Sequence, residues 1–201
     1  MRVPAVLLAA TLALAAAVPG RAAAKAPKSK SKKGASVEYR LKEGYFRCQA
    51  PAGWQASREE REDRRQKVYG VAFLGPKGAT VPRLTVEFYA EGNALFSTAE
   101  EYLSRQTSEH PIKVQGESTG KPEEFSWKGA KATRFTRDGL EMHKAKSMEA
   151  EEVPTKEEHA VIGAPKGFFV LSLVSARSEF QAHRAAYQRV LDTFEPFPAA
   201  R

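Results

Sequence analysis

The chain has 201 residues, 42% of them apolar and 28% charged, a balance that suits one folded domain and excludes a disordered or collagen-like chain. It carries 32 Lys and Arg against 24 Asp and Glu, a formal net charge of +8. A single cysteine excludes an intrachain disulfide and a cysteine-only zinc site.

Residues 1–24 read as a secretory signal peptide. Arg2 supplies the charged start, Val6 to Val18 is an apolar run, Pro19-Gly20 breaks it, and Ala22-Ala23-Ala24 is an A-x-A cleavage site. The run falls short of the roughly 20 residues a spanning helix needs, so no transmembrane helix is expected after cleavage. An exported protein, periplasmic or secreted, is the expectation. Residues 25–42 then read as a basic, disordered linker, and 43–198 as a single domain. Lys25, Lys28, Lys30, Lys32 and Lys33 make either a solvated spacer or a contact with an anionic surface, at about 1 kcal/mol per charge. Residues 1–35 hold seven basic groups and no acidic one, leaving 25 basic against 24 acidic in 36–201. A nucleic-acid-binding domain keeps a basic face of its own, so no nucleic acid is expected.

Within the domain, alternation predicts a strand over Tyr45–Ala50, with Phe46 and Cys48 on one face, ending at Pro51-Ala52-Gly53 before Trp54. Arg58 to Lys67 is charge of both signs without an apolar stripe, a solvated connection with room for a frayed helical turn. Strands follow over Val68–Leu74 and Arg83–Ala90, either side of a turn at Gly75-Pro76-Lys77-Gly78. Thr98 with Glu101 forms a capping box that opens a helix whose apolar side carries Ala99, Tyr102 and Leu103. Phe125 and Trp127 belong to a fourth strand and Ala130–Arg137 to a fifth. Asp138-Gly139 predicts a tight hairpin with a partner strand from Leu140 to about Ser147. Glu149–Glu158, acidic and interrupted by Pro154, reads as a loop. His159–Ala164 is a strand that turns at Pro165-Lys166-Gly167 into Phe168–Val174, apolar on both faces and hence central. Ser178 and Gln181 predict a capping box for a last helix striped by Phe180, His183, Tyr187, Val190, Leu191 and Phe194.

Few residues carry chemistry. The histidines His110, His143, His159 and His183 show no zinc-enzyme spacing. His143 and His159, with Glu141 or Glu157, are the candidate metal ligands, set against exposed strand histidines. The acidic run from Glu149 to Glu158 lacks the ligand alternation of a calcium loop. Cys48 reads as a core residue. Trp54 and Trp127, each beside a turn, are candidates for lining a partner groove, set against packing at the core edge. No residue stands out as catalytic and no cofactor motif is present.

The order Tyr45-Phe46-Arg47-Cys48-Gln49-Ala50-Pro51-Ala52-Gly53-Trp54, then Phe96-Ser97-Thr98-Ala99-Glu100-Glu101-Tyr102-Leu103, then Gly167-Phe168-Phe169-Val170-Leu171, closing on Val190-Leu191-Asp192-Thr193-Phe194, is similar to PsbP-like domains of the Mog1/PsbP superfamily. The resemblance covers about residues 43 to 197. It implies an α+β fold, an α-β-α sandwich with a central antiparallel sheet. It also implies a binding, assembly or adaptor role and not an enzyme. Photosystem members are associated with calcium, chloride and manganese, but no residue set here carries over as such a site. The expectation is an exported, non-enzymatic binding protein of the bacterial cell envelope acting on an envelope protein or complex. The alternatives are a module for a small ligand or a metal ion (calcium, manganese or zinc) and, third, a hydrolase with an unconventional site.

Overall fold

A computed structural model describes residues 36–108, 115–143 and 151–197. The signal segment, the five linker lysines, His110 and the stretch 144–150 lie outside the described residues.

The elements run β1 (Val37–Arg40), β2 (Phe46–Ala50), β3 (Gln55–Ser57), α1 (Glu60–Gln66), β4 (Val68–Leu74), β5 (Arg83–Ala90), α2 (Ala99–Thr107), β6 (Ser118–Thr119), β7 (Glu123–Trp127), β8 (Ala130–His143), β9 (Glu151–Ala164), β10 (Gly167–Ala176), α3 (Phe180–Thr193) and β11 (Glu195–Pro196). The large antiparallel sheet has the order β3-β4-β5-β10-β9-β8-β6, with β7 also on β8, and a small sheet is ordered β1-β2-β11. β10 lies at its centre, as its two apolar faces require. On one face, α3 and the small sheet cover a core of Phe46, Phe73, Leu84, Phe169, Leu171, Tyr187 and Phe194. On the other, α2 covers Tyr89, Tyr102, Phe135, Phe168 and Val170. A sheet with a helix on each face is the expected α-β-α arrangement.

Folded structure begins inside the stretch read as linker. β1 pairs with β2 from Val37↔Ala50 to Arg40↔Arg47, and Leu41 is buried. The charge run 60–66 is a two-turn helix, more regular than a solvated connection with a frayed turn. Glu60, Glu62 and Asp63 open it, and Arg64 and Arg65 close it, the order that suits the helix dipole. It buries no residue, and Arg58 anchors it by donating to Asp63 at 2.7 Å and to Glu43 at 3.2 Å.

Two expectations about 130–158 are corrected. Asp138-Gly139 is no turn: β8 runs straight through it, pairing Asp138 with Lys156 and Gly139 with Thr155. A type I′ turn needs positive φ at both central residues, and here Lys128 and Gly129 have it, at 47° and 83°, between Trp127 and Ala130. Asp138 is held in the strand by Arg177 at 3.3 Å and by the Ser118 hydroxyl at 3.1 Å. From Glu151 onward, the acidic stretch read as a loop is the first half of β9. Pro154 is tolerated there because its carbonyl accepts from Arg177 N at 2.8 Å, just past the end of the β10 ladder. In an antiparallel strand the nitrogen of a residue faces the same side as its carbonyl, so no bond to β8 is lost.

The capping box of α2 forms, with Glu101 N donating to Thr98 Oγ1 at 3.1 Å. The return bond reaches Ser97 N, at 2.6 Å, and not the cap residue. The box expected for α3 does not form. Its cap residue is Glu179, whose carboxylate instead accepts from Ala79 N at 3.3 Å.

Candidate functional site

α3 lies on β10 through Phe180, Tyr187, Val190 and Leu191, and the Tyr187 hydroxyl donates to the Leu171 carbonyl at 3.3 Å. The small sheet fills the space on one side of the helix, with Phe46 edge-on to Phe169 and Phe194 beside them. On the other side the strand period places polar groups outward: Arg134 and Thr136 on β8, Lys156 and Glu158 on β9. A groove of about 390 Å³ lies between them and the first turns of α3. Lys121 and Glu123 form its rim, and Phe180, Gln181 and Arg184 line the helix side.

Four cations and two carboxylates line this groove. Arg184 donates to Glu158 through Nε at 2.9 Å and through its terminal nitrogen at 3.4 Å, and Glu158 is buried. That hydrogen bond and charge hold the Arg184 guanidinium above its ordinary pKa. Arg134 forks onto one oxygen of Glu123, at 3.3 and 3.1 Å. Lys156 stands 5.6 Å over the Phe180 ring, a cation–π contact. Among the described residues, neither Lys121 nor Lys156 has a carboxylate within 4.0 Å. The groove is thus, among the described residues, a positive recess with two cations not committed to a carboxylate.

The opposite face carries a second polar cluster, beneath α2. The Tyr102 hydroxyl meets Nδ1 of buried His159, whose Nε2 is 3.0 Å from Glu157. Arg137 approaches Glu157 at 4.0 Å and donates to Gln106 at 2.9 Å. Burial pushes the Glu157 carboxyl up, but the bond from His159 and the charges of His159 and Arg137 outweigh it and hold it below the ordinary range. The hydroxyls of Thr85 and Ser172 bond each other at 2.6 Å, and Ser172 pairs in register with His159. A serine and a histidine side by side are what a hydrolase would use. Here both ring nitrogens of His159 are already hydrogen-bonded, so neither is free to take a proton from Ser172. The cluster fastens α2 to the sheet.

The residues singled out in the sequence do not converge. Trp54 is half-buried at the N-terminal half of α3, edge-on to His183 with ring centroids 5.6 Å apart. Trp127 is buried at the other end of that helix, its indole N–H donating to the Leu191 carbonyl at 3.1 Å. His183 and Leu191 are eight positions apart, about 12 Å along a helix, so the two indoles do not share one groove. His143 pairs in register with Glu151 and His159 with Phe135, which sets the histidines about 27 Å apart along β9. Among the described residues no three His, Cys, Asp or Glu gather as metal ligands. Cys48 is a buried core residue. The groove cations come from four separate segments, and no local motif marks them. The one signal available was alternation across Lys156-Glu157-Glu158, hidden by reading Pro154 as a loop.

No family model matches the chain, and a search of the curated proteins finds no relative. Solved structures do align. Cyanobacterial PsbP from Synechocystis matches with a TM-score of 0.52 at 13% identity, over 86% of this chain and 100% of that one. The fold is that of a PsbP-like domain. A Pseudomonas aeruginosa protein of unknown function aligns with a TM-score of 0.48 at 17% identity, over 82% of this chain and 99% of its own. LpqN of Mycobacterium tuberculosis, involved in cell envelope biogenesis, aligns with a TM-score of 0.43 at 13% identity, over 82% and 91%. In this chain's version of the PsbP-like fold, the recess beside α3 gathers four cations with two carboxylates. No helix among the described residues is long and apolar enough to cross a membrane.

Proposed function

We propose that this PsbP-like domain is a non-enzymatic binding module of the cell envelope that holds a segment of a partner protein in the groove between α3 and β8. The single observation that carries the reading is the groove itself, lined by Lys121, Arg134, Lys156 and Arg184 against the carboxylates of Glu123 and Glu158. A recess of this size suits a short peptide segment or a small ligand. Export rests on the signal-like segment 1–24 and the basic stretch after it. The lysines from Lys25 to Lys33 then act as a spacer that keeps the domain clear of the surface behind it.

The test is photo-crosslinking in the native envelope. A photoreactive residue at Gln181, exposed on the groove wall, should give a discrete adduct that survives deletion of residues 25–33. The same residue at Lys166, in the turn at the far end of the sheet, should not. Matching adduct patterns at the two positions, or an adduct lost with the lysines, would overturn the reading.

A further inference from the structure

Resting on the binding reading above, the charge geometry of the groove points to the occupant's chemistry. We infer that it takes an extended, carboxylate-bearing peptide segment, whose side chains meet Lys121 and Lys156 separately. Three observations converge. Arg134 and Arg184 each already hold a carboxylate, so the groove is built to solvate that group. The two cations left over stand on different segments of the chain. Lys121 follows the edge strand β6, Gly120 being tied to Thr136 of β8 at 2.8 Å, while Lys156 lies on β9 beyond β8. Neighbouring strands are about 4.8 Å apart, and Lys121 stands about three register positions along β8 from Asp138, the partner of Lys156, so the two lysines are anchored on the order of 14 Å from each other. A compact phosphate dianion is small against that span and would crowd Glu123 and Glu158. Carboxylates four positions apart on one face of an extended chain lie about 13 Å from each other, a span that matches the two lysine anchors. The Phe180 ring, buried beneath Lys156, holds that stem over the groove by a cation–π contact.

The experiment uses the purified chain with Lys25, Lys28, Lys30, Lys32 and Lys33 changed to Gln, so that the tail cannot hold an acidic peptide. The probe is a rhodamine-labelled hexaglutamate peptide read by fluorescence anisotropy. Binding is expected in this parent, about tenfold weaker after Lys121→Glu or Lys156→Glu and unchanged after Lys166→Glu. Lys156→Gln serves as a second variant, and the melting midpoint of each protein shows that it is folded. A parent that does not bind the peptide, or one that loses binding equally through Lys166→Glu, overturns the assignment. Displacement by inorganic phosphate or by phosphatidylglycerol vesicles, but not by glutarate, moves the site to phosphate chemistry and also overturns it. The two readings fail separately. A Gln181 adduct without hexaglutamate binding means a partner of other chemistry, whereas hexaglutamate binding without an adduct means a site without that partner.

Discussion

The hydroxyl of Tyr102 on α2 lies 3.2 Å from Nδ1 of His159 on β9, and both residues are buried. The chain of contacts continues through Glu157 and Arg137 to Gln106, one helical turn beyond Tyr102. α2 is therefore pinned to the sheet at two points on one face, in addition to the packing of Tyr102 against Tyr89, Phe96 and Phe168. Tyr102→Phe keeps that packing and removes only the hydroxyl. It leaves a buried ring nitrogen without its partner, at a cost of about 1–2 kcal/mol. Urea unfolding should show a lower midpoint with an unchanged slope. An unchanged midpoint would mean that the phenol contributes nothing to holding α2.

Glu87 on β5 sets a pH dependence. Burial pushes its carboxyl above the ordinary range, and the bond from the Tyr89 hydroxyl, at 3.1 Å, and the charge of Arg83 only partly oppose this. The folded chain thus holds a proton that the unfolded chain has already released. Stability from this group is fully present below the unfolded pKa and falls as pH rises through the folded one. Glu87→Gln removes the titration and keeps an acceptor for Tyr89. The variant should be more stable than the parent at neutral pH, by about 1 kcal/mol, and lose that advantage in acid. Urea midpoints across a pH series test this, and parallel curves for the two proteins would refute it.

The parts of this fold that were legible in the sequence are those fixed by local physics. The alternation of β2, β4 and β5, the two-faced apolar run of β10, the Thr98 cap and the stripe of α3 all depend on neighbours in sequence. What misled were local signals overruled from a distance. Asp138-Gly139 has turn chemistry, but Arg177, 39 positions on, holds Asp138 in a strand. Pro154 has breaker chemistry, but the end of the β10 ladder leaves room for a residue without an N–H. The groove was not legible because its charges lie on β6–β7, β8, β9 and α3, and only the topology brings them together. Trp54 and Trp127 stood out as the largest side chains beside turns, and the structure puts them at opposite ends of α3.

Cys48 should be inert in the folded protein. Burial pushes its thiol up to about 12, so almost no thiolate exists at neutral or mildly alkaline pH. Its side chain sits in the core with Phe46 and Phe73, out of reach of reagents. A thiol-reactive dye should label the native chain only at the rate of unfolding and label it fully in denaturant. Rapid labelling without denaturant would place Cys48 at an accessible surface.

Two glycines with positive φ separate the cost of conformation from the cost of a close approach. Gly129 closes the β7–β8 turn at φ 83°, and a Cβ there would meet nothing within 4 Å. Gly129→Ala should cost only the left-handed strain, about 1 kcal/mol. Gly167 opens β10 at φ 142° and lies across from Ala90, so a Cβ there would run into the backbone carbonyl of Tyr89. That oxygen belongs to the β5–β10 ladder and cannot swing aside as a side chain would. Gly167→Ala should therefore add a backbone displacement to the strain, for a loss of about 3 kcal/mol or more. Because the displaced strand faces α2 through Phe168 and Tyr89, stacked with ring centroids 4.8 Å apart, the loss should extend to the packing around Tyr102. Urea unfolding of the two variants side by side checks the ranking, and near-ultraviolet dichroism of the tyrosines checks its cause. Equal costs at the two positions would show that the β5–β10 pairing yields at Gly167 as readily as an open turn does.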